Sequence, residues 1–222
     1  MAPVPKPATP DILGKEEMGA RLRAERKVRK MTLQALSAAS GIAVSTLSKA
    51  ELGQIALSYE KFAAVARALE IDMTRLFRRD DAAPVMETPT FVKSSVYDAL
   101  DYVTENYHYR LLLGEYPHKK MTPMLAIIES RERSEFEDYV RHAGQEFVIV
   151  LSGKVRIQFE NGESVMLSRF ESAYFDSQMG HIYLSMSSKP AHVLAVCTDI
   201  DDIPAAARER EGIRWRKRVE SA

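Results

Sequence analysis

The stretch from Asp80 to Pro89 divides this chain into two textures that one packing pattern cannot serve. Asp80-Asp81-Ala82-Ala83-Pro84 opens it, Pro89 closes it, and no periodic apolar pattern runs through it, so it reads as a linker. Before it, apolar residues recur at helical spacing; after it, they alternate in short, strand-sized bursts. The expected fold class is therefore multidomain α + β. A flexible arm covers 1–15, a helical domain 16–79, the linker 80–90, a strand-rich domain 91–198 and a charged tail 199–222. With 222 residues, 45% hydrophobic and 28% charged, the chain suits two small folded domains and excludes a fibrous or wholly disordered protein. No apolar run approaches the ~18 residues of a membrane span. Met1 to Pro10 holds four prolines and lacks the apolar core of a signal peptide. The single cysteine, Cys197, cannot form an internal disulfide and suits a reducing compartment, so the expectation is a cytoplasmic protein with no membrane partner.

Formal neutrality hides a division of charge. Residues 1–79 carry 14 Lys and Arg against 8 Asp and Glu, a net of +6, and residues 80–222 carry 17 against 23, a net of −6. Arg21, Arg23, Arg26, Lys27, Arg29 and Lys30 fall within ten residues. Charge separated in this way predicts two modules with different partners, the basic one facing an anionic partner.

The helical domain reads as five short helices. The first covers about Glu16 to Arg29. Thr32 caps a second, which Gly41 ends, and a third runs from about Val44 to Leu52. Ser58 caps a fourth, with Phe62, Val65, Ala66 and Leu69 on one face, and Met73 to Phe77 is the fifth. Only Gly41-Ile42-Ala43 joins the second and third helices, which is the spacing of a helix-turn-helix. Met31 to Gly53 resembles the phage-repressor (Cro/repressor, XRE-type) helix-turn-helix, with Gly41 in the turn, Ser45-Thr46-Leu47-Ser48 opening the third helix, and Glu51 and Gly53 ending it. The resemblance implies double-stranded DNA as partner and an ion pair between Arg26 and Glu51. Ala43 departs from the usual capping serine or threonine. A helix in the major groove must present small or flexible groups to base edges, and Val44, Ser45, Thr46, Ser48 and Lys49 open the helix expected to do so. Thr32 and Gln34 stand where a helix start can hold a phosphate.

In the second domain the runs Tyr107–Leu113, Met124–Glu129, Glu146–Leu151, Val155–Phe159, Ser164–Leu167, Ser172–Phe175, Ile182–Met186 and His192–Thr198 alternate as antiparallel strands. His142-Ala-Gly-Gln-Glu146 followed by Gly153 resembles the first cupin motif, and Phe175 to His181 resembles the second. The resemblance implies an antiparallel jelly-roll barrel whose interior holds a metal or a small ligand. Arg169-Phe170-Glu171, Gly180 and Ser185 depart from the second motif, and Val140 replaces the first histidine of the full ligand set. His142, Glu146 and His181 remain as candidate metal ligands, with His181 expected to open a strand running beside those of the other two. Two imidazoles and a carboxylate suit divalent iron, zinc, nickel or manganese. The alternative content is a polar organic effector with no metal. His108, His118 and His192 have no comparable company.

Two functions fit this order of domains. One is a sequence-specific transcriptional regulator, a homodimer or higher homo-oligomer, whose cupin domain senses a small-molecule effector or a metal. The other is a mononuclear non-haem iron oxidoreductase, because the same motifs resemble hydroxypropylphosphonate epoxidases. That likeness would give Lys30, Tyr107 and Tyr109 substrate-binding roles. Asp101 stands where those enzymes carry an arginine, and Tyr139 where they carry a small polar residue. The retained base-reading pattern favours the regulator. Arg214-Trp215-Arg216-Lys217-Arg218 near the end reads as a short amphipathic segment or a charged tail.

Overall fold

A computed structural model describes residues 13–71, 76, 89–97, 99, 101–114, 116 and 119–198 of the chain. Four α-helices are present among them: α1 (Lys15–Val28), α2 (Leu33–Ser40), α3 (Val44–Glu51) and α4 (Tyr59–Ala68). Of the expected fifth helix only Leu76 is described, and it is buried; the rest of that segment, most of the arm, most of the linker and the tail lie outside the described residues. Thr32 Oγ1 accepts the Ala35 amide at 3.0 Å and so caps α2, while Gly41 closes it at φ 73°. Without a β-carbon Gly41 turns the chain back at once, and three residues later α3 begins. Ala43 gives α3 no side-chain cap. Ser58 occupies the N-cap position of α4, yet its hydroxyl bonds the Glu60 carboxylate instead of a backbone amide, which corrects the expected cap.

Nine strands follow among the described residues: β1 (Asp101–Val103), β2 (Tyr107–Leu111), β3 (Met121–Ile128), β4 (Gln145–Ser152), β5 (Lys154–Phe159), β6 (Ser164–Ser168), β7 (Ser172–Asp176), β8 (His181–Ser185) and β9 (Ala191–Thr198). They do not close into one hydrogen-bonded barrel as expected. They form a six-stranded antiparallel sheet in the order β1-β2-β3-β9-β4-β7 and a separate three-stranded sheet, β6-β5-β8. The fully buried Val148, Val150, Val155, Ile157 and Ile182 lie in one core between the two sheets. Side-chain packing here completes what backbone pairing would do in a barrel.

The helical and strand-rich parts share a core. Leu22, Leu36, Leu47, Phe62 and Val65 of the helices cluster with Tyr102, Leu111, Met124, Ala195 and Cys197 of the large sheet. Polar contacts seal the seam: the Leu13 amide donates to the Asp101 carbonyl at 2.9 Å, and the Tyr102 hydroxyl donates to the Leu57 carbonyl at 2.6 Å. Phe62 meets Tyr102 edge to face, with 5.1 Å between ring centroids.

Candidate metal centre and nucleic-acid interface

His142 lies just ahead of β4, Glu146 is the second residue of β4, and His181 opens β8. β8 belongs to the opposite sheet, so His181 does not open a strand beside β4, as the sequence suggested, but faces it across the sandwich. A single bridge between Val140 and His181 brings the two segments together. Gly144 lets the chain turn between His142 and Glu146: its φ is 84°, and a β-carbon there would stand 1.8 Å from the Thr198 carbonyl oxygen.

The three side chains converge. One ligand atom from each lies within 4.8 Å of the other two, and all three residues are buried. Glu146 Oε2 is 3.0 Å from His142 Nε2 and 3.4 Å from His181 Nε2. The Tyr183 hydroxyl donates to the other carboxylate oxygen at 2.5 Å. On the far side of each ring, His142 Nδ1 is 3.2 Å from the Ala143 carbonyl and His181 Nδ1 is 2.9 Å from the Met179 carbonyl. A carbonyl only accepts, so each Nδ1 carries its proton and each Nε2 is the atom left to face the carboxylate. Two lone pairs pointing at a carboxylate need a positive species between them. Protons on the imidazoles or a cation at the shared centre would satisfy that arrangement. A divalent ion fits this donor set, with backbone carbonyls orienting both imidazoles. Burial alone would push the Glu146 carboxyl up, but the hydrogen bonds from His142 and His181 hold it well below the ordinary carboxylate range.

The triad opens on a cavity of ≈ 30 Å³. At roughly 10–15 Å³ per water that is space for about two waters, or for an ion with its remaining ligands. Tyr59, Tyr107, Tyr109, Tyr183, Met124 and Cys197 contribute to its wall, and among the described residues no Lys or Arg does. Burial raises Tyr107, Tyr109 and Tyr183 above the ordinary phenol range. Tyr59 belongs to α4, and its ring meets His142 edge-on, 5.3 Å between centroids at 81°. Sequence reasoning missed Tyr59, Tyr183 and Cys197. Alternation from His181 and from Val193 points to the last two, whereas nothing in the sequence joins α4 to a strand. Lys30 is exposed after α1 at φ 55° and does not line the cavity, although Tyr107 and Tyr109 do. Asp101 is fully buried and bonds Arg110, with His108 at 3.2 Å from its carboxylate.

In the helical domain, Arg26 holds Glu51 with two bonds, Nε to Oε1 at 2.5 Å and Nη2 to Oε2 at 2.7 Å, and its third arm donates to the Met31 carbonyl at 2.7 Å. This clamp ties α1 to the end of α3. Leu47 and Ala50 turn inward while Val44, Ser45 and Lys49 are exposed and Thr46 and Ser48 half-buried. Thr32 and Gln34, at the start of α2, are exposed as well. The start of α3 is thus open to a partner along one face.

Residues 22–76 match the helix-turn-helix family model and residues 127–197 match the cupin domain model. A helix-turn-helix family transcriptional regulator from Vibrio cholerae shares the fold at 18% identity, with 83% of this chain and 96% of that chain covered and a TM-score of 0.56. Hydroxypropylphosphonic acid epoxidase from S. wedmorenis aligns over 83% of this chain and 98% of that chain at 19% identity, with a TM-score of 0.44. A search of curated protein sequences returns no match.

Proposed function

We propose that this chain, a helix-turn-helix domain followed by a cupin domain, is a sequence-specific DNA-binding regulator whose cupin cavity responds to a divalent ion. The observation that carries the reading is the divided face of α3, with Leu47 and Ala50 packed inward and Val44, Ser45 and Lys49 exposed. Val44 can meet a thymine methyl; Ser45, Ser48 and Lys49 offer hydrogen-bonding groups to base edges. Thr32 and Gln34 beside them face a phosphate at the start of α2. The ion would be held by His142, Glu146 and His181, and it would supply a fixed positive charge and Lewis acidity at the head of the cavity. Tyr59 connects that centre to the helical domain, so a change in ion occupancy is a change in what α4 packs against.

The test is binding to duplexes selected from a random pool. Replacing Ser45, Ser48 and Lys49 by alanine should relax base preference, each good contact being worth ~1–3 kcal/mol. Affinity should fall with salt, at about −0.9 in the log-log slope for each phosphate neutralised. Equal binding of selected and random duplexes by the wild-type protein would refute the reading.

The second reading, a mononuclear non-haem iron oxidoreductase, is favoured by one observation, the convergence of two histidines and one glutamate. Tyr107 and Tyr109 line the same cavity, but Lys30 does not reach it. Oxygen-dependent turnover of a phosphonate by iron-loaded protein, lost in His181→Ala, would establish it; no turnover would leave the regulator.

A further inference from the structure

One sulfur stands beside the candidate metal centre. Buried cysteines often serve as small apolar residues, and Ala191, Val193 and Ala195 pack that way on the inner face of β9. Cys197 continues that face, but its nearest partners are polar. In the register of β4 and β9 it lies directly opposite Glu146, where facing β-carbons stand about 4.5–5.5 Å apart. Its Sγ is 3.9 Å from His142 Nε2, the same nitrogen that Glu146 Oε2 approaches at 3.0 Å. The end of β9 is also fastened to the turn between His142 and Glu146. The Gln145 amide donates to Thr198 Oγ1 at 3.0 Å, and Gly144 passes too close to the Thr198 carbonyl for any β-carbon. Backbone pairing therefore holds the buried thiol against the triad, on the wall of the same cavity.

We propose that Cys197 is a fourth protein ligand of the ion, and that the ion is accordingly a thiophilic one, zinc in preference to manganese. The assignment rests on the ion-binding reading of His142, Glu146 and His181 and adds to it the sulfur and the class of metal. Charge favours it. An ionised Glu146 and two neutral imidazoles leave a divalent ion with one uncompensated positive charge, which is costly in a buried cavity. A Cys197 thiolate brings the sum to zero, its proton passing to solvent as the ion enters. Distance allows it. A tetrahedral centre with bonds of about 2.0–2.3 Å sets neighbouring donors roughly 3.3–3.6 Å apart. The separations here are 3.0, 3.4 and 3.9 Å, so small side-chain shifts suffice. Donor softness then selects the metal, because thiolate with imidazole suits zinc whereas manganese prefers oxygen.

Titration of the full chain with cobalt(II), after chelator treatment and under reducing conditions, is the test. Wild-type protein should bind one cobalt per chain and show a thiolate-to-cobalt charge-transfer band in the near ultraviolet. Cys197 is the only cysteine of the chain, so that band has one source. Cys197→Ser should lose the band and keep the visible d–d absorption of bound cobalt. In the same variant zinc affinity should fall about 100-fold and manganese affinity by less than about three-fold, as the loss of a soft donor requires. Should the serine variant not fold, zinc-edge X-ray absorption of the wild-type protein decides, with one sulfur expected at about 2.3 Å. Cobalt bound without a charge-transfer band, equal losses of zinc and manganese affinity, or a zinc shell of nitrogen and oxygen alone would overturn the sulfur ligand and leave the ion reading standing. No binding of cobalt or zinc would overturn the ion reading, and the assignment with it.

Discussion

Replacing Tyr59 by alanine tests whether the helical domain is a working wall of the cavity. The ring is 7% exposed, lies 5.3 Å from the His142 ring and 6.4 Å from Tyr109, and joins the core shared by the two domains. Truncating a buried aromatic costs about 3–5 kcal/mol. Tyr59 lies at the seam, where neighbours can partly close the gap, so about 3 kcal/mol is expected. Tyr59→Phe, which keeps the ring, should cost under about 1 kcal/mol by the same reasoning. The second effect concerns linkage. If occupancy of the triad and binding of duplex are coupled by ~1–3 kcal/mol, saturating operator should change ion affinity about 5- to 150-fold, and ion should change operator affinity equally. Tyr59→Ala should reduce that factor to near one. Calorimetric melting measures the first quantity, and titration of zinc or manganese with and without operator measures the second. An alanine variant that melts with the wild type and keeps the full linkage would show that the Tyr59–His142 contact transmits nothing.

Glu51→Ala should destabilise the helical domain by about 3–5 kcal/mol in urea unfolding, since it strands the largely buried Arg26 guanidinium. Tyr183→Phe removes the hydroxyl that bonds the buried Glu146 carboxylate, so ion affinity should fall about 10- to 100-fold and stability by about 1–3 kcal/mol in calorimetric melting. Burial raises Tyr102, Tyr107, Tyr109 and Tyr183, so ultraviolet titration should find four tyrosines protonated until the protein unfolds. The native state binds those protons more tightly than the unfolded chain. Stability should therefore be unaffected by these groups below about pH 10 and fall as pH rises above it.

Much of this architecture was legible because its signals are local. Thr32, Gly41 and the apolar spacing of Phe62, Val65 and Ala66 place α2 and α4 without tertiary information, and every alternating run after residue 106 is a strand within a few residues of its expected ends. The three-residue β1 escaped notice because it is too short to alternate, and its Asp101 is buried against Arg110 by tertiary contact. Alternation says which residues share a face and not which strands share a sheet. That is why His181 was expected beside Glu146 when it faces it from the opposite layer. Tyr59 was invisible for a further reason: it satisfies the apolar pattern of α4 and the wall of the cavity with the same ring, and helical periodicity reports only the first.

The two functional readings divide on charge. Glu146 ionised with two neutral imidazoles contributes one negative charge, and a divalent ion turns the centre to net positive one. Water or a small neutral molecule completes such a centre at little cost in the ≈ 30 Å³ available. A phosphonate asks for more. It brings one or two negative charges and three oxygens seeking donors, and a buried anion without cationic partners is unfavourable by several kcal/mol. Among the described residues that line the cavity, the donors beyond the triad are tyrosyl hydroxyls and one thiol. Burial holds three of those tyrosines in the neutral form, suited to a water or a hydroxyl group rather than to a full anionic charge. Lys30, the cation that an enzyme would need, is exposed at the end of α1 on the domain that carries the polar face of α3. The cavity is thus left with chemistry for an ion, while the exposed cations Arg23, Lys27, Lys30 and Lys49 all belong to the helical domain.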